Sequence, residues 1–253
     1  MAQSESRDEL IIGRNPVMEA LRSGRNIDSL FVARGERQGS IGKIIAMARD
    51  AKIPVKEVDA KKLDFMCGHA RHQGVIARVA AHAYASIDDI FARAEAKQEP
   101  PFLVICDEIA DPHNLGAIIR SAECAGAHGI IIPQRRSAEL TYTVAKTAAG
   151  ALEYMPVARV NNLPSTIEDL KSRGVWIYGT DMEGETWCQT DLKGPLALVI
   201  GSEGKGMGRL VREKCDFVLS LPMRGEINSL NASVAAGIMM YEVSRQRLGL
   251  KAL

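Results

Sequence analysis

The sequence predicts an α/β protein whose larger, C-terminal part is built on a mostly parallel sheet. From residue 102 onward, six short apolar runs recur: FLVICD, GIIIP, PVARV, GVWIYGT, LALVIG and FVLSLP, most of them separated by helix-sized segments. Buried parallel strands read this way because both sheet faces are covered and each crossover needs a helix. A chain of 253 residues with 46% hydrophobic content also buries a sizeable core without covalent staples.

Taken in order, residues 11–80 alternate helical and extended signals in a small α/β pattern. Asn15 and Pro16 mark a helix start before VMEALRSG. IDSLFVA is a strand, IGKIIAMARDAK a helix, IPVKEVD a strand and GVIARVA a closing strand. DDIFARAEAKQEPP reads as a short helix ending at paired prolines. The expected organisation is therefore an accessory domain over residues 1–80, a linker over 81–101 and a second domain over 102–253.

The formal charge is only +1, which makes no case for a nucleic-acid magnet along the whole chain. It is unevenly spread, however: residues 1–83 hold 14 basic and 10 acidic side chains, the remainder 18 and 21. Arg7, Arg14, Arg22, Arg25, Arg34, Arg37, Lys61, Lys62 and Arg71 are candidate phosphate neighbours, with an ordinary solvated surface as the competing reading. Aromatic residues at 5% give little signal for extended base stacking.

Cys67, Cys106, Cys124, Cys188 and Cys215 are scattered, odd in number and without a CxxC pair, which predicts reduced, mostly core thiols in a cytoplasmic protein. His69 and His72 lie near Cys67 without a completing ligand, so no metal site is expected. MAQSESRDEL lacks the apolar core of a signal peptide, and no later apolar run reaches membrane-spanning length.

Three blocks carry candidate chemistry. In the first, Asp107–Pro133, a strand ends in a polar loop. Asn114 is placed to cap a helix with Leu115, Ile118, Ile119 and Ala122 inside, and Arg120 is either a surface arginine or a group reaching into a site. His113 adjoins Asn114 as a polar loop residue or an RNA contact. In the second, a strand runs into GSEGKGMG, whose glycines permit close backbone approach. This block is neither a nucleoside-triphosphate phosphate loop nor a dinucleotide fingerprint. Glu203 is a turn carboxylate or an acceptor for ribose or Arg120. In the third, a loop with Arg224, Asn228, Ser229 and Asn231 enters a helix that Ser229 or Asn231 caps and that buries Val234, Ala235, Ile238 and Tyr241. The three loops fall at strand ends or helix starts, where open α/β sheets place ligands.

In sequence order, NLGAIIRSAECAGAHGIII, LVIGSEGKGM and LPMRGEINSLNASVAAGIMMYE strongly resemble the SpoU, or TrmH-like, branch of the SPOUT RNA methyltransferases. GRNPVMEAL and HQGVIARV resemble the accessory RNA-binding domain of its ribosomal subgroup. The resemblance implies a Rossmann-like sheet with a deep trefoil knot, preceded by a domain similar to ribosomal protein L30e. It implies S-adenosylmethionine as cofactor and a homodimer packed through the knotted regions. It implies a substrate in 23S rRNA or a large-subunit assembly intermediate, as a guanosine ribose of the peptidyl-transferase P-loop. Another rRNA ribose, a tRNA ribose, or RNA binding without catalysis are the alternatives.

By the same resemblance, Arg120 engages the 2'-oxygen, Asn114 organises the cleft, Glu203 orients its neighbours, and Ser229 with Asn231 lies near the methyl acceptor. Gly201, Leu221 and Leu230 contact the cofactor through backbone groups, with Thr180, Ile200 and Met223 nearby. Ala232 and Glu226 depart from the family pattern, where a larger β-branched residue and a small or apolar residue are common.

Overall fold

The computed structural model describes residues 10–35, 39–79 and 82–250. The chain folds as two compact units, 1–83 with 139–142, and 84–138 with 143–253.

The first unit contains β1 (Leu10–Ile12), α1 (Arg14–Arg22), β2 (Ile27–Ala33), α2 (Ser40–Asp50), β3 (Val55–Val58), α3 (Ala60–Met66) and β4 (Val75–Val79). Its sheet has the order β1-β4-β2-β3, with β4 antiparallel to both neighbours and β2 parallel to β3. Every residue of β2 is buried, because both faces of the sheet are covered. Leu30 and Val32 pack with Val17 of α1 and Ile41 and Ile44 of α2, while Phe31 and Ala33 pack with Leu63 of α3 and Cys67. The two resembling segments of this unit meet: the Arg14 N–H donates to Gln73 Oε1 and its Nε to the Gln73 carbonyl at 2.8 Å.

The second unit contains α4 (Ile87–Ala96), β5 (Phe102–Cys106), α5 (Pro112–Cys124), β6 (Gly129–Pro133), α6 (Tyr142–Ala148), β7 (Val157–Val160), α7 (Leu163–Ser172), β8 (Trp176–Thr186), β9 (Leu196–Ile200), α8 (Arg209–Lys214), β10 (Phe217–Ser220) and α9 (Ala232–Arg247). Its six strands are parallel in the order β10-β8-β9-β5-β6-β7, as the apolar runs predict. Helix α4 falls within 81–101 and buries Ile90 and Ala94. Leu103, Ile105, Ala197 and Val199 pack on one face with α4, α7 and α8. Alternation turns Phe102, Val104 and Leu198 to the other face, and on the helical layers α5 packs with α9.

Two features shape the carboxyl ends of the strands. Strand order reverses between β5 and β9, the place where open α/β sheets leave a crevice. In addition, Val218 pairs with Gly179 but Leu219 pairs with Glu185, so residues 180–184 of β8 are extruded from the ladder.

The structure corrects three expectations. Helix α5 starts at Pro112 and is capped by Asp111, whose carboxylate accepts from the His113 N–H at 3.0 Å, so Asn114 lies inside the first turn. In α9 the buried residues are Ala232, Ala236, Met239, Met240, Glu242 and Val243; Val234 and Tyr241 are exposed. Cys67 and Cys106 are buried, but Cys124 and Cys188 are exposed, so the thiols are not mostly core.

Candidate active site

A cleft of about 550 Å³ opens beyond the carboxyl ends of β8, β9 and β10, within the usual range for sites that enclose a small organic ligand. Its walls come from three loop or strand segments and from α9, which contributes Ala232, Ala235 and Met239. The extruded segment of β8 contributes Thr180, Asp181 and Met182; the loop after β9 contributes Ile200 through Gly206; and the loop after β10 contributes Leu221, Met223 and residues 228–230. All six residues expected near a cofactor, Thr180, Ile200, Gly201, Leu221, Met223 and Leu230, line it.

Local geometry explains why these segments hold still. The Thr180 hydroxyl donates to the Val199 carbonyl at 2.9 Å, tying the extruded segment to β9. After Ile200 the chain folds back in a tight turn in which Ser202 and Gly206 exchange backbone hydrogen bonds of 3.0 and 2.9 Å. A Cβ on Gly201 would lie 2.3 Å from the Gly206 carbonyl carbon, so only glycine admits this turn. Asp181 accepts from Arg212 Nε at 3.0 Å, which aligns a carboxylate on the cleft wall.

Asn114, Glu203 and Asn231 converge at the edge of the cleft. Oε1 of Glu203 accepts from Asn114 Nδ2 at 3.0 Å, from the Ala232 N–H at 3.2 Å and from Asn231 Nδ2. Asn231 caps α9, its Oδ1 accepting from the Ser233 and Val234 N–H groups at 3.0 and 3.2 Å. That cap fixes which way the amide points: Oδ1 is taken by backbone donors, so Nδ2 faces the carboxylate. Ser229 lines the same cleft and is exposed.

The structure does not bring every candidate together. Arg120 is exposed on α5, and the cleft is lined without it. His113 is exposed, with Nδ1 3.4 Å from the Thr147 hydroxyl. In the first unit the Arg14 guanidinium is engaged by the Gln73 carbonyl and Ser40. Arg22 and Arg34 make exposed pairs with Glu19 and Asp59, and Arg25, Lys61, Lys62 and Arg71 are exposed. Arg7 and Arg37 lie outside the described residues.

Asn228 of the third block also lines the cleft, as do Asp181, Met182 and Lys205, which carry no mark as ligands in the sequence. Lys205 sits in the visible glycine block, but nothing in sequence marks residues 180–184 for extrusion. Among the described residues, no group of three or more His, Cys, Asp or Glu side chains is placed to hold a metal ion. Among the same residues, no helix is long and apolar enough to cross a membrane.

A parallel sheet with a mostly apolar cleft beside its reversal of strand order, walled by backbone-rich loops, defines an α/β enzyme domain that takes a small organic ligand. More particularly, the chain belongs to the SpoU rRNA methylase family, whose sequence model matches residues 101–241. A second model, described as RNA 2'-O ribose methyltransferase substrate binding, matches residues 10–85. A Bacillus subtilis protein named as a TrmH-family tRNA/rRNA methyltransferase is 53% identical over 240 residues, covering 94% of this chain and 96% of its own. Among solved structures, the SpoU methyltransferase AviRb from Streptomyces viridochromogenes, in complex with AdoMet, superposes with a TM-score of 0.61 at 27% identity, over 98% of this chain and 95% of that one. The AdoMet-bound rRNA methyltransferase from Sinorhizobium meliloti gives 0.59 at 26% identity, over 99% and 92%.

Proposed function

We propose that this protein methylates a ribose 2'-hydroxyl of RNA using S-adenosylmethionine, its target being a guanosine in the peptidyl-transferase P-loop of 23S rRNA. The observation that carries the reading is the convergence of Asn114, Glu203 and Asn231, one from each motif block, at the edge of a single cleft. The cleft suits the cofactor chemically. Leu221, Leu230 and Met239 offer apolar surface to an adenine, and the Asp181 and Glu203 carboxylates complement a ligand that carries positive charge. Gly201, Leu221 and Leu230 would hold it largely through backbone groups, with Thr180, Ile200 and Met223 nearby. When bound, it supplies an electrophilic methyl group on a sulfonium.

The chain's own residues would then position the hydroxyl and stabilise the charge it develops. Alignment contributes several kcal/mol. Arg120 acts as a charge stabiliser for the 2'-oxygen, because a guanidinium stays protonated and is a poor base. Since Arg120 stands off the cleft wall of its own chain, its delivery fits a homodimer formed through α5 and α9 in the family's knotted arrangement. The exposed Val234 and Tyr241 on α9 supply apolar surface for that contact. The first unit would capture the RNA through Arg25, Lys61, Lys62 and Arg71. The exposed pairs of Arg22 and Arg34 are weak enough to exchange for phosphates. The protein would act in the cytoplasm on rRNA or an assembling large subunit.

The name of the Bacillus subtilis relative spans tRNA and rRNA, so a tRNA ribose is the second reading. Nucleotide-resolution mapping of labelled methyl groups decides between them, using protein-free ribosomal RNA, large subunits and bulk tRNA with an Arg120→Ala control. Methylation confined to the P-loop guanosine and lost in the control supports the proposal. A tRNA ribose supports the second reading, and no transfer to any RNA refutes both.

A further inference from the structure

Asp107 follows β5, is 5% exposed and belongs to no part of the chemistry described so far. Its backbone N–H donates to the Ile200 carbonyl at 2.8 Å, one residue before the glycine-rich loop begins. Its carboxylate Oδ2 accepts from the Gly208 N–H at 2.7 Å, where that loop ends and α8 begins. One residue therefore grips both ends of the loop 201–208, which lines the cleft from Gly201 to Gly206 and carries Glu203.

We propose that Asp107 is a positioning residue for the cofactor: by clasping the two ends of loop 201–208 it keeps the cleft wall and Glu203 in their ligand-ready arrangement. This rests on the proposed function, because the ligand is S-adenosylmethionine. Between its ends the loop is closed by the Ser202–Gly206 backbone pair and held at Glu203 by Asn114, Asn231 and the Ala232 N–H; at its base the Asp107 carboxylate adds the hydrogen bond to Gly208. Burial raises the Asp107 carboxyl above its ordinary pKa, and the Gly208 N–H opposes that shift. A carboxylate kept in a costly place and answered by a backbone donor is consistent with a clasp. If the clasp is lost, the ligand-ready form becomes a minor population and apparent affinity falls by that fraction.

The test is calorimetric binding of S-adenosylmethionine to the full-length protein, with hydrogen exchange of the 201–208 amides measured without ligand. Asp107→Ala removes the acceptor, and Asp107→Asn keeps an oxygen that accepts from Gly208. Gly208→Pro breaks the same bond from the other side, at a residue whose φ of −60° suits proline: the N–H is gone, and the ring carbon in its place displaces the Asp107 carboxylate. The expected result is about tenfold weaker binding and faster loop exchange in both D107A and G208P, recovery to within about threefold in D107N, and near wild-type turnover of D107A at saturating cofactor. A thermal melt establishes that each variant is folded at the assay temperature. If D107A fails to fold, G208P and D107N carry the comparison. A folded D107A or G208P with wild-type affinity and loop exchange overturns the inference. A wild-type protein that binds no S-adenosylmethionine instead refutes the function on which the inference rests.

Discussion

Asn231 donates its side-chain amide to Asn114 Oδ1 across 2.9 Å, joining residues 117 positions apart in the chain. The same amide reaches Glu203, and the other end of the side chain caps α9. Replacing Asn231 with Asp separates these roles. The cap survives because a carboxylate oxygen still accepts from the helix N–H groups, while the donor facing Glu203 becomes a second negative oxygen. N231D is expected to lose roughly 10–100-fold in kcat/KM while melting within a few degrees of wild type. Asn231→Ala also loses the cap, worth about 1 kcal/mol. Methyl-transfer kinetics and thermal melts on both variants check this; wild-type activity in N231D would remove the cluster from the mechanism.

Gly116 lies one turn into α5, where α6 comes close. A Cβ there would sit 2.6 Å from the Thr147 Cβ and 2.9 Å from the Val144 carbonyl oxygen. Alanine is ordinarily the better helix former by about 1 kcal/mol, but here it must push backbone away. Gly116→Ala is expected to destabilise the protein by about 1–3 kcal/mol, read as a lower denaturant midpoint at unchanged slope. An unchanged or higher midpoint would show that α6 yields freely.

The parallel sheet is legible in the sequence because its strands are buried on both faces. All of Leu196–Ile200 and Phe102–Cys106 is buried, so each reads as a plain apolar run. The start of α5 is misplaced by the sequence reading although its signal is present: Asp111 precedes Pro112, a cap followed by proline at the first helical position, whereas Asn114 draws the eye only because the apolar stripe begins after it. In α9 apolar residues lie on every side, and periodicity does not separate Val234 and Tyr241 from Met239 and Met240. The extrusion of residues 180–184 is invisible because it depends on pairing with β10, more than thirty residues downstream. Arg14 shows a further limit, since composition cannot tell an arginine committed to Gln73 from one free for phosphate. The cleft-lining positions of Gly201, Leu221 and Leu230 are reached only through family resemblance.

The five thiols should divide sharply in reactivity. Cys124 and Cys188 are exposed, whereas burial pushes the Cys106 thiol up to about 12 and that of Cys215 to about 11. The thiolate is the reactive form, so the latter two are almost wholly protonated at neutral pH. Brief iodoacetamide treatment of the native protein followed by peptide mass spectrometry should label Cys124 and Cys188 and leave Cys106 and Cys215 unmodified. Early labelling of Cys106 would mean that the end of β5 opens readily.

Glu242 makes part of the stability pH-dependent. It is buried near the C-terminal end of α9, and its carboxylate accepts from Arg245 Nε and Nη2 at 2.7 Å each and from Gln246 Nε2 at 2.8 Å. Gln246 in turn donates to the Thr190 carbonyl and accepts from the Leu192 N–H, so this cluster anchors the segment between β8 and β9. The Arg245 hydrogen bonds, with a smaller contribution from Gln246, hold the Glu242 pKa below its ordinary 4.5 against the opposing effect of burial. A carboxyl depressed in the folded state stabilises fully above its unfolded pKa and loses that contribution as pH falls through its folded pKa. Glu242→Gln places an amide donor against the guanidinium and should cost about 1–3 kcal/mol at pH 7. The gap to wild type should hold down to about pH 5 and narrow at lower pH, as the wild-type carboxyl becomes neutral too. Urea unfolding of both proteins from about pH 7 to about pH 3.5 measures the gap; a constant difference across that range would mean that packing, rather than the charged hydrogen bonds, ties α9 to the segment before β9.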